Sequence, residues 1–154
     1  MRRMLLPSIV LLLAFAAPAA AQDADEAAVR EVIQRLFDGM RSRDTAMIRS
    51  AFAAEAQFYG IDRNGSVRID TPSAFITSIA GAPEGMVLDE VLHDTEVRID
   101  GPLAVVWTYY DFFAGDTFSH CGYDAFQLLK VQDEWKIVAL ADTRRREGCR
   151  QQRG

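Results

Sequence analysis

The chain is poor in the residues that carry metal and nucleophile chemistry. It has two cysteines and two histidines among 154 residues. No CxxC pair and no Cys/His cluster has metal-ligand spacing, so no metal site is expected. There is no glycine-rich phosphate loop and no nucleophile elbow. No internal repeat or low-complexity tract breaks the chain, which points to one domain. Basic charge is also scarce. The net charge is −5, and residues 22–143 hold 10 basic against 21 acidic side chains. An acidic body argues against nucleic-acid binding, where neutralising phosphates dominates affinity. The longest apolar run, Leu5 to Ala17, falls short of the roughly 20 residues that span a bilayer. No stable membrane anchor is expected.

That run fits a different role. Arg2 and Arg3 precede it, and Pro18 and the small residues Ala19, Ala20 and Ala21 follow it. This is the pattern of a secretory signal peptide, with cleavage expected after Ala21. The expected location is the periplasm or the extracellular medium. Residues 1–21 form the signal segment, 22–146 the folded domain, and 147–154 a basic C-terminal tail. Residues 144–154 carry five arginines and one glutamate. A tail pairing with the acidic body is the preferred reading, and an anion or membrane contact is the other. Export would place Cys121 and Cys149 where a pair is joined. Closing that loop stabilises by roughly 3.6 kcal/mol on the chain-entropy model.

Asp25 to Met40 has the three-and-four apolar spacing of an amphipathic helix. Asp44 suits the N-cap of a short second helix to about Phe52. Gln57 to Ile61 and Val67 to Ile69 read as strands around an Asn64-Gly65 turn. Thr71-Pro72 opens a third helix to about Ala80. Four long strands follow, over Val87 to Asp100, Leu103 to Ala114, Thr117 to Val131 and Trp135 to about Arg145. Helices first and a strand meander last give an α+β domain, with three helices packed on the concave face of a curved antiparallel sheet.

This order, with AFAAEAQF at Ala51 to Phe58 and Glu134-Trp135-Lys136-Ile137-Val138 at the end, resembles the nuclear-transport-factor-2-like superfamily. That group includes SnoaL-like and ketosteroid-isomerase-like cones. FSHCGYDAF at Phe118 to Phe126, with Trp135-Lys136-Ile137 and Asp142 to Arg146, resembles a bacterial branch labelled putative lumazine-binding. The resemblance implies a cone-shaped fold around a cavity, and often a homodimer formed through the outer sheet face. Its members include isomerases, dehydratases, cyclases and proteins of no known activity.

A two-residue turn at Gly115-Asp116 sets Asp111 opposite His120 and Trp107 opposite Asp124. A two-residue turn after Val131 adds Ala139, Ala141 and Thr143 to that face. The expected inner face then carries Trp107, Tyr109, Asp111, His120, Gly122, Asp124, Phe126 and Thr143. Gly122, Ala139 and Ala141 would leave space there. His120, paired with Asp111, and Asp124 are the candidate catalytic acid–base groups. Tyr59, Trp107, Tyr109, Asp111, Phe126 and Thr143 are candidate ligand-binding residues. His93, in a charged stretch, is expected to be exposed, and no cofactor is implied. Three functions stay open: a binding protein for a small organic molecule, an acid–base enzyme of isomerase, dehydratase or cyclase type, and a dimeric interaction module.

Overall fold

The computed structural model describes residues 17–61 and 65–153. Most of the expected signal segment, and Asn64 of the expected hairpin turn, lie outside the described residues. The elements are α1 (Ala17–Ser42), α2 (Thr45–Ser50), β1 (Phe52–Ile61), β2 (Val67–Asp70), α3 (Pro72–Ala80), β3 (Leu88–Asp100), β4 (Leu103–Ala114), β5 (Thr117–Val131) and β6 (Glu134–Asp142). No described helix is long and apolar enough to cross a membrane.

Local chemistry sets the helix boundaries. Asp44 Oδ1 accepts from the backbone N–H groups of Ala46 and Met47 at 3.0 and 2.9 Å. Thr71 caps α3, with Pro72 at its first turn. The apolar stripe of α1 (Val29, Val32, Ile33, Leu36, Phe37 and Met40) is buried throughout. It packs on the sheet through contacts such as the edge-to-face pair Phe37–Phe126, 6.2 Å between centroids. Side chains of this size, fully buried, contribute roughly 1.5–3 kcal/mol each.

The three helices lie on one face of a six-stranded sheet of order β2-β1-β6-β5-β4-β3. Strands β3 to β6 form the antiparallel meander, and β1 joins β6 in parallel. Both expected two-residue turns form, joining Ala114 to Thr117 and Val131 to Glu134.

The strand registers depart from the expected ones after each turn. In β5, Phe118 faces Phe113 while His120 faces Phe112, so Ser119 is an extra residue. In β6, Ile137 faces Leu128 while Ala139 faces Gln127, so Val138 is extra. One unpaired residue moves every later side chain to the other face of its partner's pattern. Asp111 therefore lies opposite Cys121, and Asp124 opposite Thr108 and Asp142. The helix-facing side holds Tyr110, Phe112, His120, Asp124, Phe126, Leu140 and Asp142. Trp107, Tyr109, Asp111, Ala139 and Ala141 lie on the outer side, which corrects the expected assignment.

The C-terminal tail is an ordered strap across that outer side. A disulfide joins Cys121 to Cys149 within the chain, with Cα atoms 5.7 Å apart. The Arg150 N–H donates to Tyr109 Oη at 2.9 Å, and the Gln152 N–H to Asp111 Oδ2 at 3.1 Å. The Arg150 guanidinium covers the Tyr109 ring and pairs with Asp94. Arg153 covers Phe113 and lies 3.5 Å from Asp116. The arginines thus pair with the acidic body, the preferred of the two sequence-based expectations.

Candidate functional site

A cavity of about 460 Å³ lies between the helices and the inner side of the sheet. Its apolar wall includes Phe37 and Met40 of α1, Phe75 and Ile79 of α3, and Phe112 and Leu140 of the sheet. Its polar groups are Arg68, Asp70, Glu90, Tyr110, His120, Asp124, Asp142 and Arg144. The volume is in the range of small-molecule sites, and so is the mixture of many apolar walls with a few polar groups.

Glu90 and Asp124 meet inside it. Strands β3 and β5 flank β4, and the bend of the sheet brings their side chains together across Tyr110. The two carboxyls are close enough for Asp124 to donate to Glu90, which requires Asp124 to hold a proton. Asp124 is 3% exposed, and its Oδ2 has no hydrogen-bond partner among the described residues. Burial pushes the Asp124 carboxyl well above its ordinary range, and the neighbouring Glu90 charge adds to that. Burial also raises Glu90, to about 7, against the bond from Asp124 and the positive charge of Arg144. Arg144 itself is held by Asp142, with Nε 2.5 Å from Oδ2. Tyr110 is raised chiefly by burial, and its hydroxyl donates to the Thr143 carbonyl at 2.8 Å.

His120 lines the same cavity, with its ring 4.9 Å from Phe112 and edge-on to Tyr110. Burial among these rings pushes its pKa down to about 4, helped by the charge of Arg144. The imidazole is therefore neutral at physiological pH, with Nδ1 3.0 Å from Ser119 Oγ. Gly122 does not widen the cavity. A Cβ there would stand 1.8 Å from the Thr143 carbonyl oxygen and 2.9 Å from the Tyr110 ring. Only glycine lets the chain after β6 cross so close to β5.

Most of the expected ligand-binding residues lie elsewhere. Phe126 is on the inner side, packed on Phe37 in the core. Tyr59 and Trp107 line an open trough of about 760 Å³ on the outer side, together with Ala139 and Ala141. Trp107 is 49% exposed and stacks on Tyr123. Tyr109 and Asp111 are buried beneath the tail strap. Thr143 uses Oγ1 to accept from the Tyr123 N–H at 3.0 Å. Asp111 does not meet His120; its neighbour is His93, with Nε2 3.5 Å from Oδ2. His93 is half-buried rather than exposed, beside the Tyr109 ring and the Asp111 carboxylate.

The trough is the larger hollow, but it is an open surface concavity whose apolar floor has no buried titratable group. The inner cavity is where desolvated acids and an imidazole converge, so we take it as the candidate site. Sequence reasoning missed Glu90, Tyr110, Asp142 and Arg144. A signal for Glu90 existed. It interrupts the apolar alternation Leu88, Glu90, Leu92, whose leucines pack on the core.

A family model described as "Putative lumazine-binding" matches residues 24–141. No curated protein matches the chain at a significant level. An NTF2-like protein of unknown function from Shewanella baltica superposes with a TM-score of 0.64 at 20% identity, over 81% of this chain and 97% of its own. A protein of unknown function from Mycobacterium tuberculosis gives 0.72 at 14% identity, over 88% and 80%. A protein described as a putative dehydratase of the NTF2-like family, from Streptomyces avermitilis, gives 0.64 at 15%, over 81% and 99%. At such identities the structures share a fold and nothing finer. The six-stranded bent sheet and the helices over its inner side give the chain the fold of these NTF2-like structures, and the matched span places it in the putative lumazine-binding family.

Proposed function

We propose that the chain binds a small, largely apolar and partly aromatic organic molecule in the inner cavity and moves a proton on it. The reaction class would be isomerisation or dehydration, without a cofactor. The observation that carries this reading is the Glu90–Asp124 pair, a half-buried and a buried carboxyl side by side on the cavity wall, both raised by desolvation. Such a pair weakens a fold, because desolvation and like charge both oppose ionisation. Arg144, whose positive charge acts on both carboxyls, is bonded to Asp142 instead. A pair that does not serve stability is better explained by chemistry.

The roles follow from protonation. Asp124, held well above its ordinary range by burial, is the group that can donate its proton to a ligand carbonyl or leaving hydroxyl. Glu90, with a pKa of about 7, can take up or release a proton near neutrality. Neutral His120 can accept or donate at the same wall. The family's description and a protein of the same fold described as a putative dehydratase support small-molecule binding in general.

The test begins with thermal-shift measurements against lumazine, a pterin, riboflavin, a steroid ketone and an aromatic polyketide. A stabilising compound is then followed by NMR for exchange of its acidic C–H protons with deuterated solvent. Glu90→Gln or Asp124→Asn should slow that exchange by about 10²-fold or more. Stabilisation with no exchange would leave a binding protein without chemistry. No stabilisation by any of them would count against both readings.

We also infer export to an oxidising compartment, which the Cys121–Cys149 disulfide supports. Association of two copies through the outer trough is proposed on the exposed Leu103, Val105, Trp107 and Leu129. Light scattering tests it, and a monomer at high concentration would refute it.

A further inference from the structure

The disulfide masks a second group of ligating atoms, on the outer side of the sheet and away from the cavity. Asp111, Cys121 and Cys149 each offer one ligand atom, and these atoms lie within 4.8 Å of one another. Among the described residues no other trio of His, Cys, Asp or Glu side chains gathers this way. Register explains the gathering: Asp111 of β4 lies opposite Cys121 of β5, and the bridge from Cys121 to Arg145 starts the strap that returns Cys149. His93 of β3 lies outside that trio but next to its carboxylate. Its Nε2 is buried without a hydrogen-bond partner, 3.5 Å from Asp111 Oδ2. Buried polar atoms are nearly always satisfied, so an imidazole nitrogen that makes no hydrogen bond beside the Asp111 carboxylate calls for an explanation.

We propose that when the Cys121–Cys149 bond is reduced, Cys121, Cys149, Asp111 and His93 bind one zinc ion or a similar thiophilic divalent cation. The reduction takes two electrons and two protons from a dithiol, which becomes a disulfide as the Cys121–Cys149 bond breaks to two thiols. On metal binding, each thiol releases its proton to solvent and the two thiolates coordinate the cation. Two thiolates, a carboxylate and an imidazole are a donor set that zinc takes in four-coordinate geometry.

Electrostatics favour the cation in the reduced state. Cys121 is fully buried, and a bare thiolate there would stand beside the Asp111 carboxylate. Both desolvation and like charge oppose that ionisation, and a divalent cation relieves both. Asp111 is already oriented, since Tyr109 Oη donates to Oδ1 and the Gln152 N–H to Oδ2. Such outer hydrogen bonds fix a coordinating carboxylate. The disulfide and the metal are thus alternative fastenings for the same strap. Because the cation binds only the reduced chain, each tenfold rise in free zinc above its Kd shifts the reduced-to-oxidised ratio tenfold.

The test uses the full mature chain, reduced with a dithiol that is then removed without air. Cobalt(II) serves as the coloured probe and zinc as its competitor. The reduced protein should bind one cobalt with a sulfur-to-metal charge-transfer band, and the oxidised protein none. Zinc should abolish the band and raise the melting temperature of the reduced form alone. Cys149→Ser should lose the band. Asp111→Asn and His93→Gln should each weaken binding by about 10-fold or more. Circular dichroism checks folding, and His93→Gln keeps the test decisive if Asp111→Asn does not fold. The proposal is overturned if the reduced chain binds no stoichiometric metal. It is equally overturned if the folded His93 and Asp111 variants bind as tightly as the parent, which would mean two free thiols chelating by themselves.

Discussion

Replacing Glu90 with glutamine keeps the shape of the side chain and removes its titration, so the pH dependence of stability reads out the buried pair directly. In the folded chain Glu90 holds its proton up to about 7, against an ordinary value of 4.5. Between those two values the folded state binds a proton that the unfolded chain has released. Stability from such a group is fully present below 4.5 and is lost as pH rises through about 7. At about 1.4 kcal/mol per pH unit, the interval from 4.5 to about 7 sets an upper bound near 3.5 kcal/mol. The Glu90→Gln variant escapes this loss, so its stability should climb relative to the parent across that window. The groups facing Glu90 are Asp124 of β5, Asp142 and Arg144 at the end of β6, and Asp89 on its own strand.

His120 supplies the opposite slope. Its pKa falls from 6.5 to about 4, so between those values only the unfolded chain carries the proton. That contribution is present above 6.5 and is lost as pH falls toward 4. Halved because solvent in the cavity reaches the ring, it amounts to about 1–2 kcal/mol. His120→Gln should therefore lose ground against the parent as pH rises through the same region where Glu90→Gln gains. Urea unfolding at half-unit steps from pH 4 to 8, followed by the fluorescence of buried Trp135, measures both. Curves for Glu90→Gln and parent that stay parallel from pH 4.5 to 7 would refute a proton shared between Glu90 and Asp124.

Four further outcomes follow from the packing. Gly122→Ala puts a methyl 1.8 Å from the Thr143 carbonyl oxygen, so it should cost at least about 3 kcal/mol or prevent folding; a denaturation midpoint like the parent's would show that the strand end can shift. Tyr110→Phe removes the bond to that same carbonyl and should cost about 1–2 kcal/mol by urea unfolding. Cys149→Ser should cost about 3 kcal/mol and speed tryptic cleavage at Arg150, since the strap then hangs on its hydrogen bonds. Trp107→Glu, at a half-exposed ring, should leave monomer stability within about 0.5 kcal/mol while lowering the mass measured by light scattering if the outer trough joins two copies.

Much of the fold was legible because short-range chemistry dictates it. The α1 stripe, the Asp44 and Thr71 caps and the two-residue turns each need only neighbouring residues. The faces of β4 and β6 were not legible, because Ser119 and Val138 are bulged. Nothing distinguishes those two residues from their neighbours in sequence. The bulge at Ser119 turns His120 toward Phe112 and aligns Ser119 Oγ with its Nδ1, and it carries Tyr110 rather than Trp107 to the cavity wall. His120 and Asp124 stayed on one side together, since both lie beyond that bulge on the same strand and four residues apart.

The acid pair fails to show in sequence for a different reason. Glu90 and Asp124 sit on strands separated by a third, which in a flat sheet places them roughly 9–10 Å apart. Side chains meet across such a gap only where the sheet bends toward them. Here the bend is fixed by what fills the inner side: Tyr110 lies between the two strands with Gly122 beneath its ring, and Phe37 of α1 presses on Phe126. The local pattern Leu88, Glu90, Leu92 could announce a buried acid, but its partner depends on curvature, which is a property of the whole packed layer. The same logic says which perturbation separates the two. A substitution that flattens the sheet without touching either carboxyl, such as Phe126→Ala, should drop Glu90 toward its ordinary range and reduce the slope of stability against pH between 4.5 and 7. An unchanged slope in a folded Phe126→Ala protein would mean that the strands, and not the curvature, hold the carboxyls together.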